Sequence, residues 1–229
     1  MRSVDYSIYL VTDRSLAGGR SLPDLVCAAV AGGATCVQLR EKDTAIRDFL
    51  AVARELRALL QPLGVPLIVN DRVDVALAAG ADGVHLGQQD MPIEVARRLG
   101  PPGWIVGISA ESVEDAVRAE REGADYIGVS PVFATPTKTD TALPLGLDGL
   151  RAIRRAVRLP LVAIGGIHEG NAREVIEAGA DGLAVVSAIM AAPDPRAAAA
   201  RLRAAVDAAR SRRPAASDLG SDQKTHGEG

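Results

Sequence analysis

Gly123-Ala124-Asp125-Tyr126-Ile127-Gly128-Val129-Ser130 compresses the end of a helical pattern, a tight turn and a short apolar run into eight residues. The same opening returns as Gly33-Ala34-Thr35, Gly80-Ala81-Asp82 and Gly179-Ala180-Asp181, each time between a helical pattern and a strand-like run. Glycine suits a left-handed helix C-cap, and a small Ala followed by polar Asp or Thr suits a tight turn into a strand. Spacings of about forty to fifty-five residues are the period of a βαβ unit and not of a solenoid repeat.

Outward from these turns, short apolar runs lie at Ser7 to Asp13, Cys36 to Arg40, Leu67 to Asn70, Gly83 to Leu86, Ile105 to Ser109, Tyr126 to Ser130, Leu161 to Ile164 and Gly182 to Ser187. They are rich in Val and Ile and apolar at successive positions, the pattern of parallel strands covered on both faces. Amphipathic stretches separate them: Leu22 to Ala31, Ile46 to Leu60, Val73 to Ala79, Ile93 to Leu99, Ser112 to Glu122, Leu150 to Val157, Asn171 to Ala178 and Arg196 to Ala209. Strand then helix, eight times, predicts an α/β fold: a single (β/α)8 TIM barrel over residues 1–210. Residues 211–229 lack periodicity and are expected to be a disordered tail. The Asp and Thr of the repeated turns precede their strands, on the face opposite barrel chemistry, and are expected to be structural.

Composition narrows the function. Only 3% of the 229 residues are aromatic and the formal net charge is -3, which gives neither base-stacking platforms nor an overall basic field, so no nucleic-acid partner is expected. The longest apolar stretches, such as Leu183 to Ala192, are too short to span a bilayer, and Met1 to Asp5 lack the apolar run of a signal peptide. Cys27 and Cys36 form no disulfide framework or metal spacing, which favours a reducing, cytoplasmic home with both as core filler. Low aromatic content suggests a barrel core of Val, Ile, Leu and Ala. An apolar outer helix face could support a homo-oligomer, although periodicity singles out no helix.

Barrel chemistry sits where strands end, so the residues following each run are the candidates. Asp71 and Asp90 come from neighbouring runs, and paired carboxylates there suit Mg²⁺; the competing reading makes each a helix cap. Gln38, Arg40 and Lys42 share one side of an extended segment, and an arginine fork beside a lysine suits a diphosphate. Thr135-Pro136-Thr137-Lys138 adds two hydroxyls and a third cation. Gly165-Gly166 and Val186-Ser187 follow the seventh and eighth runs, the usual place for a phosphate in such barrels. His85 is expected to be a packed, hydrogen-bonded histidine, and His168 only to flank the Gly-Gly loop. No Ser-His-Asp order or Cys-His pairing supports covalent catalysis. A metal-bound diphosphate site facing a monophosphate site, without an evident acid or base, implies group transfer from a diphosphate to a second phosphorylated substrate.

Val37-Gln38-Leu39-Arg40-Glu41-Lys42, Val69-Asn70-Asp71-Arg72, Val84-His85-Leu86-Gly87-Gln88-Gln89-Asp90, Gly107-Ile108-Ser109, Ala134-Thr135-Pro136-Thr137-Lys138, Ala163-Ile164-Gly165-Gly166-Ile167 and Val186-Ser187-Ala188-Ile189 together resemble the thiamine-phosphate synthase family. The resemblance runs from the first strand to the last helix and is specific in order and spacing. It implies a transferase of thiamine biosynthesis that joins hydroxymethylpyrimidine diphosphate to thiazole phosphate with Mg²⁺, through a pyrimidine-methyl cation captured by the thiazole nitrogen. By the same resemblance Gln38, Leu39, Arg40, Glu41, Lys42, Asn70, Ser109 and Lys138 would hold the pyrimidine diphosphate, with catalytic roles on Arg40, Lys42, Ser109 and Lys138. Thr135, Pro136, Thr137, Gly166, Val186 and Ser187 would hold the thiazole phosphate, and Asp71 and Asp90 the magnesium. A thiazole tautomerase on the same barrel would need a histidine in the sixth loop, where this chain has Ser130 and Pro131. Sugar-phosphate isomerases and epimerases would need an acid and base pair. A non-catalytic precursor binder would have lost charge among Arg40, Lys42, Asp71, Asp90 and Lys138, and all five are present.

Overall fold

The structure, a computed structural model, describes residues 4–135 and 143–212. Eight parallel strands, β1 (Ile8–Val11), β2 (Cys36–Leu39), β3 (Leu67–Asn70), β4 (Gly83–Leu86), β5 (Ile105–Ala110), β6 (Tyr126–Val129), β7 (Leu161–Ala163) and β8 (Gly182–Val185), bond in sequence order, and β8 closes on β1. Between and after them run α1 (Leu22–Ala31), α2 (Ile46–Leu60), α3 (Val73–Ala79), α4 (Ile93–Leu99), α5 (Val113–Arg121), α6 (Gly146–Ala156), α7 (Glu169–Glu177), α8 (Ser187–Met190) and α9 (Pro195–Arg210). The chain is therefore the expected (β/α)8 barrel. Among the described residues, no helix is long and apolar enough to cross a membrane.

Helices form where one face can be buried. In α2, Phe49, Ala53, Leu56 and Leu60 recur at helical spacing and all are buried, while Arg47 is exposed. The expected helix at Leu150 begins four residues earlier, because Gly146 and Gly149 mask its first turn from propensity and periodicity. The unforeseen α8 is a single turn, too short for a periodic pattern. Ser211 caps α9, and Arg212 is the last described residue of the segment expected as a tail; residues 213–229 lie outside the described part.

The repeated turns become a clasp at the bottom of the barrel. All four glycines, Gly33, Gly80, Gly123 and Gly179, have positive φ, and none of them can readily be replaced. The polar residue two positions on bonds twice to the start of the preceding strand. Ile8 N–H donates to Thr35 Oγ1 (3.2 Å), Leu67 N–H to Asp82 Oδ2 (2.9 Å), Val106 N–H to Asp125 Oδ2 (2.7 Å) and Leu161 N–H to Asp181 Oδ2 (2.9 Å). In return, the backbone N–H groups of Thr35, Asp82, Asp125 and Asp181 donate to the carbonyls of Ile8, Leu67, Val106 and Leu161. Each Asp also meets an arginine from the helix before that strand: Arg57 of α2, Arg97 of α4 and Arg154 of α6. The carboxylates thus satisfy backbone donors that the ladder leaves open, a structural role as expected.

The core has two compartments. Between strands and helices it is aliphatic, but the barrel interior holds Tyr9 and Tyr126 with Cys36, Ile68, Val162 and Ala184, and Tyr6 beneath them. The expectation of a wholly aliphatic core is thus corrected: all three tyrosines of the chain lie in the interior. A low aromatic count does not say where the few rings go, and small neighbours here leave ring-sized space. A Cβ on Gly107 of β5 would fall 2.1 Å from Tyr126 Cζ, and one on Gly128 of β6 would fall 3.0 Å from His85 Cε1.

Candidate active site

The C-terminal ends of β3 and β4 bring Asp71 and Asp90 together. Asp71 is the only non-glycine among the described residues with positive φ (61°), a conformation Asp tolerates better than most residues, and its N–H bonds to His85 O of β4 (2.8 Å). Neither residue is a helix cap: the N-caps of α3 and α4 are Arg72 and Pro92, without side-chain bonds. The Asp90 carboxylate instead accepts from Gly87 N–H within its own loop (2.6 Å). Partial burial, then the hydrogen bond and charge of Asp90, push the Asp71 carboxyl up to about 6, while Lys42 and Arg40 pull it down. Two carboxylates and two cations therefore share one region of the rim. Among the described residues no cluster of three or more His, Cys, Asp or Glu side chains is arranged for a metal. Two adjacent hard oxygen donors, with open positions for water and phosphate, fit Mg²⁺, which is seldom caged by protein alone.

The end of β2 sorts its residues by alternation. Gln38 is buried and points inward, where its Nε2 donates to Tyr9 Oη (3.1 Å). Arg40 stands at the rim, held through its N–H on Thr12 Oγ1 (3.1 Å), with its guanidinium 3.7 Å from Asp13. Lys42 is exposed. Leu39 is wholly buried in the outer core, so only its backbone can face a ligand. Glu41 turns away: its carboxylate takes a two-point bond from Arg14 (2.9 and 3.2 Å) and one from Thr44, and its side chain is 3% exposed.

Asn70 ends β3 on the interior side with Ile68. Ser109 of β5 is half-buried; its Oγ lies 3.0 Å from His85 Nε2 and its carbonyl accepts from Gln88 Nε2. His85 is indeed a packed, hydrogen-bonded residue, with Nδ1 2.9 Å from Tyr126 Oη, and Tyr126 Oη is 2.7 Å from Tyr9 Oη. Tyr9 and Tyr126 were missed by sequence reasoning. Nothing local marks a strand tyrosine as part of a polar chain rather than as core.

Across the mouth, the loops after β6 and β7 are joined by Val132 N–H to Ile164 O (2.9 Å) and Phe133 N–H to Gly165 O (3.1 Å). Gly165 (φ 103°) and Gly166 (φ 64°) press against this loop, and a Cβ on Gly166 would stand 2.7 Å from Ala134 O. Gly166 therefore lies beside Thr135, the residue after Ala134. Its carbonyl accepts from Asn171 Nδ2 (2.9 Å), and His168 caps α7, a more definite role than flanking the loop. Val186 and the exposed Ser187 open α8 next door. Pro136, Thr137 and Lys138 lie outside the described residues.

A family model described as thiamine monophosphate synthase matches residues 8–189. The thiamine-phosphate synthase of Albidiferax ferrireducens is 65% identical over 201 residues, covering 88% of this chain and 92% of that one. That of Chloroflexus aurantiacus is 58% identical over 203 residues, covering 89% and 94%. Among solved structures, the thiamine phosphate pyrophosphorylase of Pyrococcus furiosus superposes with a TM-score of 0.83 at 45% identity, covering 90% of this chain and 97% of that one.

Proposed function

Since the chain belongs to the thiamine monophosphate synthase family and its activity is that of a thiamine-phosphate synthase, we propose that the rim just described is where the two substrates meet. The reaction joins 4-amino-2-methyl-5-hydroxymethylpyrimidine diphosphate to 4-methyl-5-hydroxyethylthiazole phosphate and yields thiamine monophosphate and diphosphate. Arg40 and Lys42 face the diphosphate, with Lys138 as a third cation. Gln38, Asn70 and Ser109 face the pyrimidine ring, and the backbone at Leu39 and Glu41 completes that side. Thr135, Gly166, Val186 and Ser187, with Pro136 and Thr137, take the thiazole phosphate; what supports this is the glycine-lined junction of the β6 and β7 loops beside the start of α8.

In the reaction the bond from the pyrimidine methylene carbon to the diphosphate oxygen breaks, and its electron pair leaves on the diphosphate. The thiazole nitrogen then gives its lone pair to that carbon. No proton needs to be moved, so the chain's task is to orient two rings and to stabilise charge on the leaving group. Arg40 and Lys42 do this as cations placed at the strand-end rim. Asp71 and Asp90 would hold Mg²⁺, which supplies further charge neutralisation at the leaving diphosphate when bound. The observation that carries the reading is the adjacency of Asp71 and Asp90 within electrostatic reach of Arg40 and Lys42.

A reducing, cytoplasmic compartment belongs to the same reading. It is supported by two unpaired cysteines, of which Cys36 is buried in the barrel with its thiol pushed far above the usual range by burial. The test is incubation of purified protein with both precursors, with and without Mg²⁺, and mass detection of the product. Magnesium-dependent thiamine monophosphate is expected; folded protein that makes none overturns the assignment.

A further inference from the structure

Five side chains from five strands form one unbroken hydrogen-bonded line across the barrel. Gln38 of β2 meets Tyr9 of β1 (3.1 Å), Tyr9 meets Tyr126 of β6 (2.7 Å), Tyr126 meets His85 of β4 (2.9 Å), and His85 meets Ser109 of β5 (3.0 Å). Gln38, Tyr9, Tyr126 and His85 are buried, and only Ser109 is partly open. Gly107 and Gly128 leave the space that the Tyr126 and His85 rings occupy. Both ends of the line are residues that the preceding reading assigns to the pyrimidine ring.

With the Gln38 amide placed so that Nε2 faces Tyr9 Oη, the protons along the line take one direction. Gln38 Nε2 can only donate, so Tyr9 Oη accepts from it and has one proton to give to Tyr126. Burial holds both phenols well above their usual range, so each keeps that single proton. Tyr126 accepts from Tyr9 and donates to His85 Nδ1, which leaves the ring proton on Nε2. His85 Nε2–H then donates to Ser109 Oγ, and the Ser109 proton is left for another acceptor. At the far end the Gln38 Oε1 is left as an acceptor. Reversing the Gln38 amide would reverse every bond and exchange the roles of the two ends.

We propose that Tyr126 is a positioning residue that couples Ser109 to Gln38 through His85 and Tyr9, presenting a hydroxyl donor at one end of the pyrimidine pocket and a carbonyl acceptor at the other. The ligand class it selects is a heteroaromatic ring with a bare ring nitrogen across the ring from an exocyclic amine, one an acceptor and the other a donor. This rests on the substrate reading above. Tyr126 itself touches neither substrate, and it acts by fixing the His85 tautomer.

The experiment compares wild type, Tyr126→Phe, Tyr9→Phe and Tyr6→Phe. Tyr126→Phe keeps the ring that packs at a tilt against Tyr6, with centroids 4.7 Å apart, but breaks the line at its centre. Expected is a rise of about five- to tenfold in KM for the pyrimidine diphosphate, with KM for the thiazole phosphate within about twofold. Tyr9→Phe should show the same selectivity with a smaller change. Tyr6→Phe disturbs the same packing outside the line and should leave both constants alone. The second readout uses no substrate: ¹⁵N NMR of ring-labelled histidine, assigned by the signal lost in His85→Gln. Wild type should show the Nε2–H tautomer, and Tyr126→Phe a mixture. An unchanged His85 signal in Tyr126→Phe overturns the proposal, as does an equal loss for both substrates that Tyr6→Phe reproduces. Should wild type make no thiamine monophosphate, the substrate reading fails, while the NMR comparison still decides the line itself.

Discussion

Removing one bottom-face carboxylate should weaken the barrel without touching its chemistry. In Asp125→Ala the Val106 N–H loses its 2.7 Å acceptor inside the protein, and Arg97 loses its ion pair. Arg97 keeps the carbonyls of Gly123 and Trp104, so no orphan charge is left. The cost is then one charge-assisted bond to a shielded backbone donor plus a small remainder for the ion pair, about 2–3 kcal/mol. For a domain of this size about 2–4 °C of Tm accompanies each kcal/mol, so calorimetry should show a midpoint about 5–10 °C lower. Exposure sets the order of the series. The Asp125, Asp82 and Asp181 side chains are 13%, 29% and 41% exposed, so the losses should fall from Asp125→Ala to Asp82→Ala to Asp181→Ala. The kcat and both KM values of the surviving fold at 25 °C should match wild type, since the clasp lies at the opposite end from the rim. A wild-type midpoint in Asp125→Ala, or lost turnover at an unchanged midpoint, would refute the clasp as a purely structural device.

Further outcomes test the rim. Arg40→Ala and Lys42→Ala should each raise KM for the pyrimidine diphosphate about tenfold or more, whereas Arg47→Ala, on the exposed face of α2, should not; steady-state kinetics of the three variants decides it. Gly166→Ala must place a methyl 2.7 Å from Ala134 O at a φ of +64°, so KM for the thiazole phosphate should rise about tenfold while that for the diphosphate substrate holds. The Asp71 carboxyl titrates near 6 in the fold and at its ordinary value when unfolded, so it favours the fold while protonated and loses that contribution as pH rises through about 6. In the presence of EDTA, the Tm of Asp71→Asn relative to wild type should therefore increase between pH 5 and 7. The thermal shift caused by Mg²⁺ should be larger at pH 7.5 than at pH 5.5, because protons compete for the same oxygens. A pH-independent difference, or equal Mg²⁺ shifts, would contradict the paired-carboxylate site.

What could be read from sequence divides along a physical line. The count of eight units, the strand bounds at Leu67–Asn70 and Gly83–Leu86 and the helices Leu22–Ala31 and Ile46–Leu60 follow from periodicity and turn chemistry, which act within a few residues of each other. Because barrel topology places every strand end on one face, the sequence also determined that Arg40, Lys42, Asp71, Asp90 and Ser109 would share a rim. It could not decide what each would touch there. Arg14, in a different loop, draws Glu41 away from the rim, and burial followed by the meeting with Asp90 raises the Asp71 pKa, neither of which can be seen in the local sequence. The line from Gln38 to Ser109 joins five strands, with Tyr9 and Tyr126 separated by 117 positions in the chain. Local pattern carries no information about such a partnership. Only closure of the barrel brings those hydroxyls within 2.7 Å of each other, in a buried interior where each needs a hydrogen-bonding partner.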